Sequence, residues 1–409
     1  MSEHAKDFDF VCIGSATQDV FVRSDAARIL TLSDHRKAER MLCFEYGGKV
    51  SVENIEFTTG GGATNASVSL ARLGARAAFV GKVGPDPVGV LILGELQANG
   101  VDTAYHLQSQ TEPTGYSVIL TSYEGDRTVL THRGASTEIT ADEIDWAFAE
   151  RTQWLYLTSL SGTSAALIEP ITKRAATAEV RLAFNPGSTQ IKAGLDALAP
   201  LLRETDVLLL NKEEAAQLTG NEPLKDVIID DRCTLCEACL KACPMKVLVR
   251  DRDRIVPAFL DRCDNCGDCL KACPTNALVS EPWAFNVSES FEVLCKTGPK
   301  VVVITDGPRG AQACDGETIH MLPAAKVTVA SSLGAGDAFG SAFTFEYARS
   351  GDLGRALALG TANAASVVKA VGAKNDLLTA AQAEGLLNDF DASSVRQVAL
   401  ADALAAARQ

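Results

Sequence analysis

The chain has 409 residues, of which 46% are hydrophobic and 22% charged, a composition typical of a globular protein with two or three folded units. Its net charge of −14 and pI of about 4.9 argue against nonspecific binding to nucleic acid or to an anionic membrane surface. They do not exclude an anionic nucleotide, because a local turn can bind phosphate within an acidic protein.

The first nine residues are polar and acidic, without the basic and apolar regions of a signal peptide, and no apolar run reaches about 20 residues. We therefore expect a cytoplasmic protein. Of the 12 cysteines, eight lie between Cys233 and Cys273, a clustering that favours metal ligation over disulfides in a cytoplasmic chain. The scattered Cys12, Cys43, Cys295 and Cys314 are expected to be small buried hydrophobic residues.

The N-terminal region begins with a predicted buried strand at residues 8–14. Residues 15–19 follow at its carboxyl end, where open α/β sheets bind ligands. Residues 25–40 are polar and predict a helix, whereas residues 41–57 predict an extended segment.

Three motifs follow. Residues 58–65 read Thr-Thr-Gly-Gly-Gly-Ala-Thr-Asn and lead into an apolar helix that closes at Gly74. Glycines at a helix start can hold phosphate. Residues 79–89 contain Gly-x-x-Gly-x-Asp-x-x-Gly, with Asp86 as the acid, and residues 114–133 predict a hairpin that ends at Arg133.

The central region predicts core strands at residues 153–160, 180–185 and 206–210. The third strand ends in Asn-Lys-Glu-Glu at 211–214, and a short helix then stops at Gly220.

After Gly220 a 14-residue pattern, beginning Asp-Arg-Cys at 231 and again at 261, occurs twice with an offset of 30 residues. Each copy contains C-x₂-C-x₂-C-x₃-C-P, the ferredoxin pattern for two [4Fe–4S] clusters, in which the fourth cysteine of each run binds the other cluster. A zinc ribbon fits this spacing poorly.

The pattern assigns four cysteines to each cluster. The first set is Cys233, Cys236, Cys239 and Cys273, and the second is Cys263, Cys266, Cys269 and Cys243. The apolar runs of the segment are few, so we expect it to depend on its clusters for folding.

Beyond the insert, residues 285–297 predict a helix and residues 300–305 a buried strand that leads into the turn Asp-Gly-Pro-Arg-Gly. Residues 326–330 predict another strand, followed by Gly-Ala-Gly-Asp at 334–337 and a helix. Residues from 353 onwards predict an Ala-rich helix to Gly372 and a helical tail.

The Gly-Ala-Gly-Asp turn brings unpaired backbone N–H groups and the positive end of a helix dipole to one point. Asp337 places a carboxylate beside that anion site, where it can accept the proton of an attacking hydroxyl during phosphoryl transfer. On spacing alone, a helix start with a favourable acidic residue is the more common explanation of the motif, since short glycine motifs are frequent.

The motifs and their order resemble those of the ribokinase, or phosphofructokinase-B, family of sugar and nucleoside kinases, over residues 8–222 and 284–380. The resemblance implies an α/β fold, a three-layer α/β/α sandwich with a small β-lid from residues 41–57 and 114–133, plus an inserted α+β ferredoxin-like domain. The expected divisions are kinase residues 1–222, insert residues 223–283 and kinase residues 284–409.

The resemblance also implies the site residues. Asp19, Gly61, Gly62 and Asn65 would contact the sugar or nucleoside. Asn211, Glu214, Thr305, Gly307, Gly310 and Asn363 would serve ATP and Mg²⁺. Asp337 would be the catalytic base, with Gly334, Ala335 and Gly336 forming the anion loop.

One departure concerns the residues before the anion loop. Ser331 stands where the family commonly has an aspartate that helps to bind an activating monovalent cation, so K⁺ dependence is an open question. We expect no nucleic-acid or membrane partner. A redox partner protein would suit the clusters, and a homodimer would use the lid.

Two functional hypotheses follow. The first is an ATP-dependent kinase that phosphorylates a hydroxymethyl group of a sugar or nucleoside, with clusters of structural, regulatory or electron-transfer role. The second is an electron-transfer or redox-sensing protein on a kinase scaffold. The presence of Asp19, Asn65, Asn211, Glu214 and Asp337 together favours the first.

Overall fold

A computed structural model describes residues 6–24, 26–33, 38–121, 127–178, 180–220, 227–229, 231–258, 268–280 and 287–407. The strands are, in chain order, β1 (Phe8–Ile13), β2 (Thr17–Arg23), β3 (Arg28–Ser33), β4 (Ala38–Cys43), β5 (Asn54–Gly60), β6 (Ala77–Val80), β7 (Lys82–Val83), β8 (Leu107–Gln108), β9 (Gly115–Thr121), β10 (Arg127–His132), β11 (Thr152–Leu157), β12 (Arg181–Phe184), β13 (Val207–Asn211), β14 (Val227–Ile229), β15 (Leu248–Asp251), β16 (Arg254–Pro257), β17 (Leu278–Ser280), β18 (Val301–Thr305), β19 (Ala311–Cys314), β20 (Thr318–Leu322) and β21 (Arg396–Ala399).

The helices are α1 (Gly62–Arg72), α2 (Pro87–Ala98), α3 (Ala147–Arg151), α4 (Ile168–Thr177), α5 (Ser188–Ala193), α6 (Leu195–Arg203), α7 (Lys212–Thr219), α8 (Ala238–Ala242), α9 (Asp268–Ala272), α10 (Val287–Thr297), α11 (Ala335–Ser350), α12 (Leu353–Val367), α13 (Ala380–Asn388) and α14 (Leu400–Ala407). None of the helices in the described ranges is long and apolar enough to cross a bilayer.

A nine-stranded sheet forms the centre of the fold, in the order β21-β20-β19-β18-β13-β12-β11-β1-β6. The six strands from β18 to β6 are parallel, and β19, β20 and β21 extend the sheet as antiparallel strands. The parallel strands are nearly continuous apolar runs because helices cover both of their faces.

Two cores lie on opposite faces of this sheet. On β18, Val301 and Val303 pack into the core with α1, α11 and α12, whereas Val302 and Ile304 pack into the core with α4, α6 and α10. Successive side chains of a strand point to opposite faces, so the one run of valines contributes to both layers. The expected three-layer α/β/α sandwich is confirmed.

A separate four-stranded sheet, ordered β10-β9-β2-β5, forms the lid. The expected hairpin is present as β9 and β10, with residues 122–126 outside the described part of the chain. The expected lid boundaries need correction, because β2, directly after the first core strand, is an inner lid strand that pairs with both β5 and β9. Asp19 therefore lies on a lid strand rather than in a turn.

Three sequence predictions of local structure are wrong. Residues 25–40 were expected to be helical, but β3 and β4 pair as an antiparallel hairpin there, since cross-strand pairing overrides local propensity. Residues 326–330 form no strand, and the chain is held instead by Ala330 and Ser331 N–H groups that donate to the Val368 carbonyl. The tail is not wholly helical, because β21 adds the last edge strand.

The insert has its own small core. Strands β14 and β17 pair with each other, as do β15 and β16, and α8 and α9 occupy equivalent places 30 residues apart in the repeat. Among the described residues, the buried members of this core cluster are Cys239, Leu248, Ile255, Cys273, Ala277 and Leu278. Residues 259–267 lie outside the described residues, so the positions of Cys263 and Cys266 are not described.

Candidate active site

The anion loop lies at the start of α11, a 16-residue helix. Gly334 is its N-cap residue, in the left-handed conformation with φ of 79°, and no side-chain hydrogen bond caps the helix within the described part of the chain. A Cβ at Gly334 would lie 2.4 Å from the Cβ of Ala373, so both its conformation and its packing require glycine. The Ala335 N–H donates a long hydrogen bond of 3.4 Å to the Ser332 carbonyl, and Ala335 and Gly336 line a cavity at this helix start, a position suited to an anion.

Asp337 and Asn65 meet directly. The Asn65 Nδ2 group donates a hydrogen bond of 2.7 Å to Asp337 Oδ2, joining α1 to α11 across a long stretch of sequence. Burial raises the pKa of the Asp337 carboxyl to about 6, the Asn65 hydrogen bond opposes this rise, and the charge of Asp19 adds to it. A carboxylate with this pKa is mostly ionised at neutral pH yet basic enough to accept a proton from a hydroxyl.

Asp19 faces the same site from the lid. It is 7% exposed, and burial raises its pKa, an effect opposed by hydrogen bonds from Ser117 and Thr17. The sugar-site residues predicted on β2 and α1 are thus brought within electrostatic reach of Asp337.

The glycines of the motif at residues 58–65 shape the start of α1. Gly61 is the N-cap residue with φ of 104°, and a Cβ there would lie 2.4 Å from the Ser15 carbonyl oxygen. Gly62 begins the helix, and its N–H donates to Ser15 Oγ at 3.2 Å. Glycine is required at position 61 because any other residue would clash with the backbone of Ser15 and Ala16.

Asp86 has a structural role, and Arg133 lies on the surface. Asp86 caps α2 by accepting from the Gly89 N–H at 2.9 Å, and it also accepts from the N–H and hydroxyl of Thr114. Its hydrogen-bonding capacity is used within the fold. Arg133 is exposed at the end of β10.

Asn211 and Glu214 form a reciprocal capping box at the start of α7. Asn211 Oδ1 accepts from the Glu214 N–H at 2.8 Å, and Glu214 Oε2 accepts from the Asn211 N–H at 2.9 Å. Burial raises the pKa of Glu214, and the charges of Glu213 and Asp337 add to the rise. The helix cap therefore holds Glu214 near the anion loop, with its second carboxylate oxygen left for other partners.

A cavity of about 810 Å³ opens beside the anion loop. Thr305, Gly307 and Gly310 line it on one side, and Ala335 and Gly336 line it on the other. This volume is in the range that small-molecule ligands occupy.

Asn363 does not line this cavity, although its helix neighbours Thr361 and Ala364 do. Its carboxamide is fully buried, donates to Ser69 Oγ and to the Ala338 carbonyl, and accepts from the Leu378 N–H. The structure corrects the expectation of a nucleotide contact, since Asn363 ties α1, α11 and α12 together instead.

Sequence reasoning missed two charged residues of the site. Lys374 Nζ lies 3.2 Å from Glu95 Oε2, and the charge of this lysine acts on both Asp19 and Asp337. No local motif marks either residue, since Glu95 lies within α2 and Lys374 follows the Ala-rich helix. Only the fold brings them together.

The cysteine-rich insert brings together cysteines from both runs. Cys239 lies within electrostatic reach of Cys233 from its own run and of Cys273 from the second run, which is the crossed arrangement expected of a dicluster ferredoxin. Cys236 is exposed, Cys269 is partly buried, and Cys243 is buried.

The backbone around these cysteines also fits iron–sulfur ligation. The Val247 N–H donates to Cys243 Sγ at 3.4 Å, and the Ala277 N–H donates to Cys273 Sγ at 3.2 Å. Among the described residues no three side chains converge on a point that suits a single metal ion. A four-iron cluster does not need such a point, because each thiolate binds a different iron.

Comparisons with known proteins agree with this geometry. The family model for "pfkB family carbohydrate kinase" matches residues 11–250 and 278–380, and the model for "4Fe-4S dicluster domain" matches residues 225–279. The chain therefore belongs to the pfkB family of carbohydrate kinases and carries an inserted 4Fe-4S dicluster domain. It is a phosphotransferase with an alcohol group as acceptor.

Individual relatives are distant. The chain is 22% identical over 310 residues to an "Uncharacterized sugar kinase" of Archaeoglobus fulgidus, covering 76% of this chain and 98% of the relative. It is 23% identical over 376 residues to a ribokinase of Bacillus subtilis, covering 92% and 98%. Arabidopsis thaliana ribokinase, solved with ribose and ATP, superposes with a TM-score of 0.65 at 20% identity, covering 94% and 99%. The structural likeness establishes the fold.

Proposed function

We propose that the enzyme transfers the γ-phosphate of ATP to a hydroxymethyl group of a sugar or nucleoside. The observation that carries this proposal is the 2.7 Å hydrogen bond between Asn65 and Asp337. It joins the glycine-rich motif of α1 to the anion loop of α11, so that the residues proposed for acceptor binding and for phosphate binding form one site.

Asp337 acts as the general base in this scheme. Its carboxylate takes the proton of the acceptor hydroxyl as that oxygen attacks the γ-phosphate, while the N–H groups of Gly334, Ala335 and Gly336 stabilise the negative charge. The raised pKa of about 6 suits this role, since a base works best when its pKa lies near the working pH.

The acceptor binds between the lid and α1. Thr58 Oγ1 and Asn65 Oδ1 are buried and have no hydrogen-bond partner within the described part of the chain. Buried polar atoms are rarely left unpaired, so a ligand or water supplies the missing partners. Hydroxyl groups meet this need, and Asp19, Gly61 and Gly62 border the same position.

ATP occupies the cavity lined by Thr305, Gly307 and Gly310. Asn211 and Glu214 would hold Mg²⁺ through its water shell, which would neutralise phosphate charge there. The capping box keeps both side chains at the N-terminus of α7, where the phosphates of ATP would lie in this scheme.

The test is ADP release with a panel of acceptors that includes D-ribose, D-fructose, a sugar acid and purine and pyrimidine nucleosides, run without oxygen on the brown holo-protein. We expect Mg²⁺-dependent ADP release with at least one acceptor, together with its phosphorylated product. ADP release that no acceptor stimulates would contradict the proposal and favour a redox protein on a kinase scaffold.

For the insert we propose residues 223–283 as its bounds, between kinase residues 1–222 and 284–409. One [4Fe–4S] cluster would be held by Cys233, Cys236, Cys239 and Cys273, and the other by Cys263, Cys266, Cys269 and Cys243. Protein prepared without oxygen should contain about eight iron and eight sulfide per chain. Cys233→Ala and Cys273→Ala should damage the same cluster. If each variant loses a different cluster, the assignment of cysteines to clusters is wrong.

The clusters are proposed to modulate the kinase through the flanking helices. The chain leaves for the insert after α7, which carries Glu214, and returns at α10. The test is the KM for ATP of oxidised protein, of dithionite-reduced protein and of a variant with residues 224–282 replaced by a Gly/Ser linker. Linkage requires different affinities in different states, so equal values in all three would remove the regulatory role.

A homodimer through the lid is supported by exposed apolar side chains on its strands. Ile55 and Phe57 of β5 and Leu130 of β10 are between 48% and 59% exposed. Apolar side chains clustered on one small sheet are typical of an interaction surface. Light scattering should give twice the chain mass, and Leu130→Glu should give the single-chain mass.

A further inference from the structure

Lys374 lies on a segment that is packed between the lid and the anion loop. A Cβ added to Gly372 would lie 3.0 Å from Thr58 Cγ2 of β5, and Ala373 packs directly on Gly334. Lys374, the next residue, therefore lies where the lid strand β5 and the anion loop meet.

The Lys374 side chain is 5% exposed and pairs with Glu95 of α2, with Nζ 3.2 Å from Oε2. Glu95 is itself held by the Thr59 hydroxyl. The contact is an ion pair, and Nζ has no hydrogen-bond partner of good geometry within the described residues. A buried ammonium needs compensating charge, and the low exposure of this side chain keeps its three N–H groups from solvent.

Charged and titratable groups reach this region from five elements. Asp19 lies on β2, Glu95 on α2, Tyr156 on β11, Glu214 on α7 and Asp337 on α11. Four of these are carboxyl groups. Within the part of the chain that the structure describes, Lys374 is the cation whose charge acts on Asp19 and on Asp337.

We propose that Lys374 is a positioning residue of the phosphoryl-transfer site: its ammonium, anchored on Glu95, is the counter-charge that keeps the Asp337 carboxylate ionised beside Asp19. The inference rests on the proposed role of Asp337 as the base. Two carboxylates that share a buried site cannot both ionise easily, and an opposite charge nearby restores the ionised form. The phosphates of ATP add further negative charge and increase the need for this cation.

The test is the pH dependence of kcat/KM for the best acceptor of the panel, between pH 5.5 and 9, in wild type and Lys374→Met. Loss of an adjacent opposite charge raises a carboxyl pKa by about one unit or more. The acidic limb of the kcat/KM profile, where activity falls with decreasing pH, should therefore move to higher pH by that amount. For a rise of one unit from a pKa of about 6, the activity deficit should be about threefold at pH 6.5 and about eightfold at pH 5.5. It should be nearly absent at pH 9, because Asp337 is ionised there in both proteins.

Two variants serve as controls. Lys374→Arg keeps the charge and should keep the wild-type limb, whatever its turnover. Lys82→Met removes an equally buried lysine, 7% exposed and 2.7 Å from Glu143, whose effect would be confined to stability. If Lys374→Met folds poorly, Lys374→Met/Glu95→Gln removes both charges and should still move the limb upward, by less, because the loss of the Glu95 charge partly offsets that of the lysine.

The proposal is overturned if the acidic limb of Lys374→Met matches that of wild type, or if the deficit is the same at every pH. A limb that also moves in Lys82→Met overturns it equally. Asp337→Asn separates the two levels of inference. If Asp337→Asn is active, Asp337 is not the general base, and the proposed function fails at that point. If Asp337→Asn is inactive but the acidic limb of Lys374→Met matches that of wild type, only the proposed role of the lysine is refuted.

Discussion

Replacing Asp337 with asparagine should lower activity and raise stability together. The amide keeps the size of the carboxyl group, and its oxygen can still accept the hydrogen bond from Asn65 Nδ2. It cannot take the proton of the acceptor hydroxyl. We therefore expect turnover to fall by about 10²–10⁴, the usual contribution of a general base, with ATP affinity nearly unchanged.

The stability gain follows from the pKa of the same group. Burial raises the Asp337 pKa from 3.8 to about 6, so the native state disfavours the ionised form. Protonated Asp337 adds stability that is fully present below pH 3.8 and is lost as the pH rises through 6. At 1.36 kcal/mol per pKa unit, the ionised carboxylate costs about 3 kcal/mol above pH 7, and the asparagine avoids this cost.

Thermal unfolding of ligand-free wild type and Asp337→Asn at several pH values provides the measurement. The variant should unfold several degrees higher at pH 8, with the advantage reduced by about half at pH 5, where most of Asp337 is already protonated. Equal or lower midpoints for the variant at pH 8 would show that Asp337 is not held at a stability cost. Wild-type turnover in the variant would remove it from the mechanism.

Three further changes separate the parts of the site. Asp19→Ala should raise the KM for the acceptor and spare ATP affinity, and the reverse result would mean that the two subsites are exchanged. Glu214→Gln preserves the capping box but loses the charge, so half-maximal activity should need more Mg²⁺, and an unchanged Mg²⁺ requirement would exclude Glu214 from metal binding. Gly334→Ala should lower stability by about 1–3 kcal/mol through a strained φ and the clash with Ala373. Gly336→Ala lies within α11, where a Cβ meets no clash, and should leave stability unchanged or raise it by up to about 1 kcal/mol.

The parallel core could be predicted from sequence because its strands are short, continuous apolar runs that end in glycine or polar residues. Helix α7 was predictable for a similar reason, since Asn211 and Glu214 form a local cap that depends on four consecutive residues. Strands β3 and β4 were not predictable, because their stability comes from pairing with each other. Edge strand β21 likewise depends on β20.

The candidate site divides along the same line. Asp337, Asn65 and Asp19 could be named from motifs that recur with characteristic spacing, and the structure places them together. Lys374 and Glu95 could not, because their relationship exists only after α2 and the turn beyond α12 have packed against the lid. Asn363 shows the opposite failure, since a motif position near the cavity is used for internal hydrogen bonds.

The contact between α7 and α10 bears on how such a composite chain arises. The hydroxyls of Thr219 and Ser290 lie 3.2 Å apart, so the two helices that flank the insert are neighbours in space. A domain whose two connections to the kinase lie side by side can be gained or lost during evolution without disrupting the kinase fold. The same closeness makes this junction a natural place at which to transplant the iron–sulfur module into other kinases of the family.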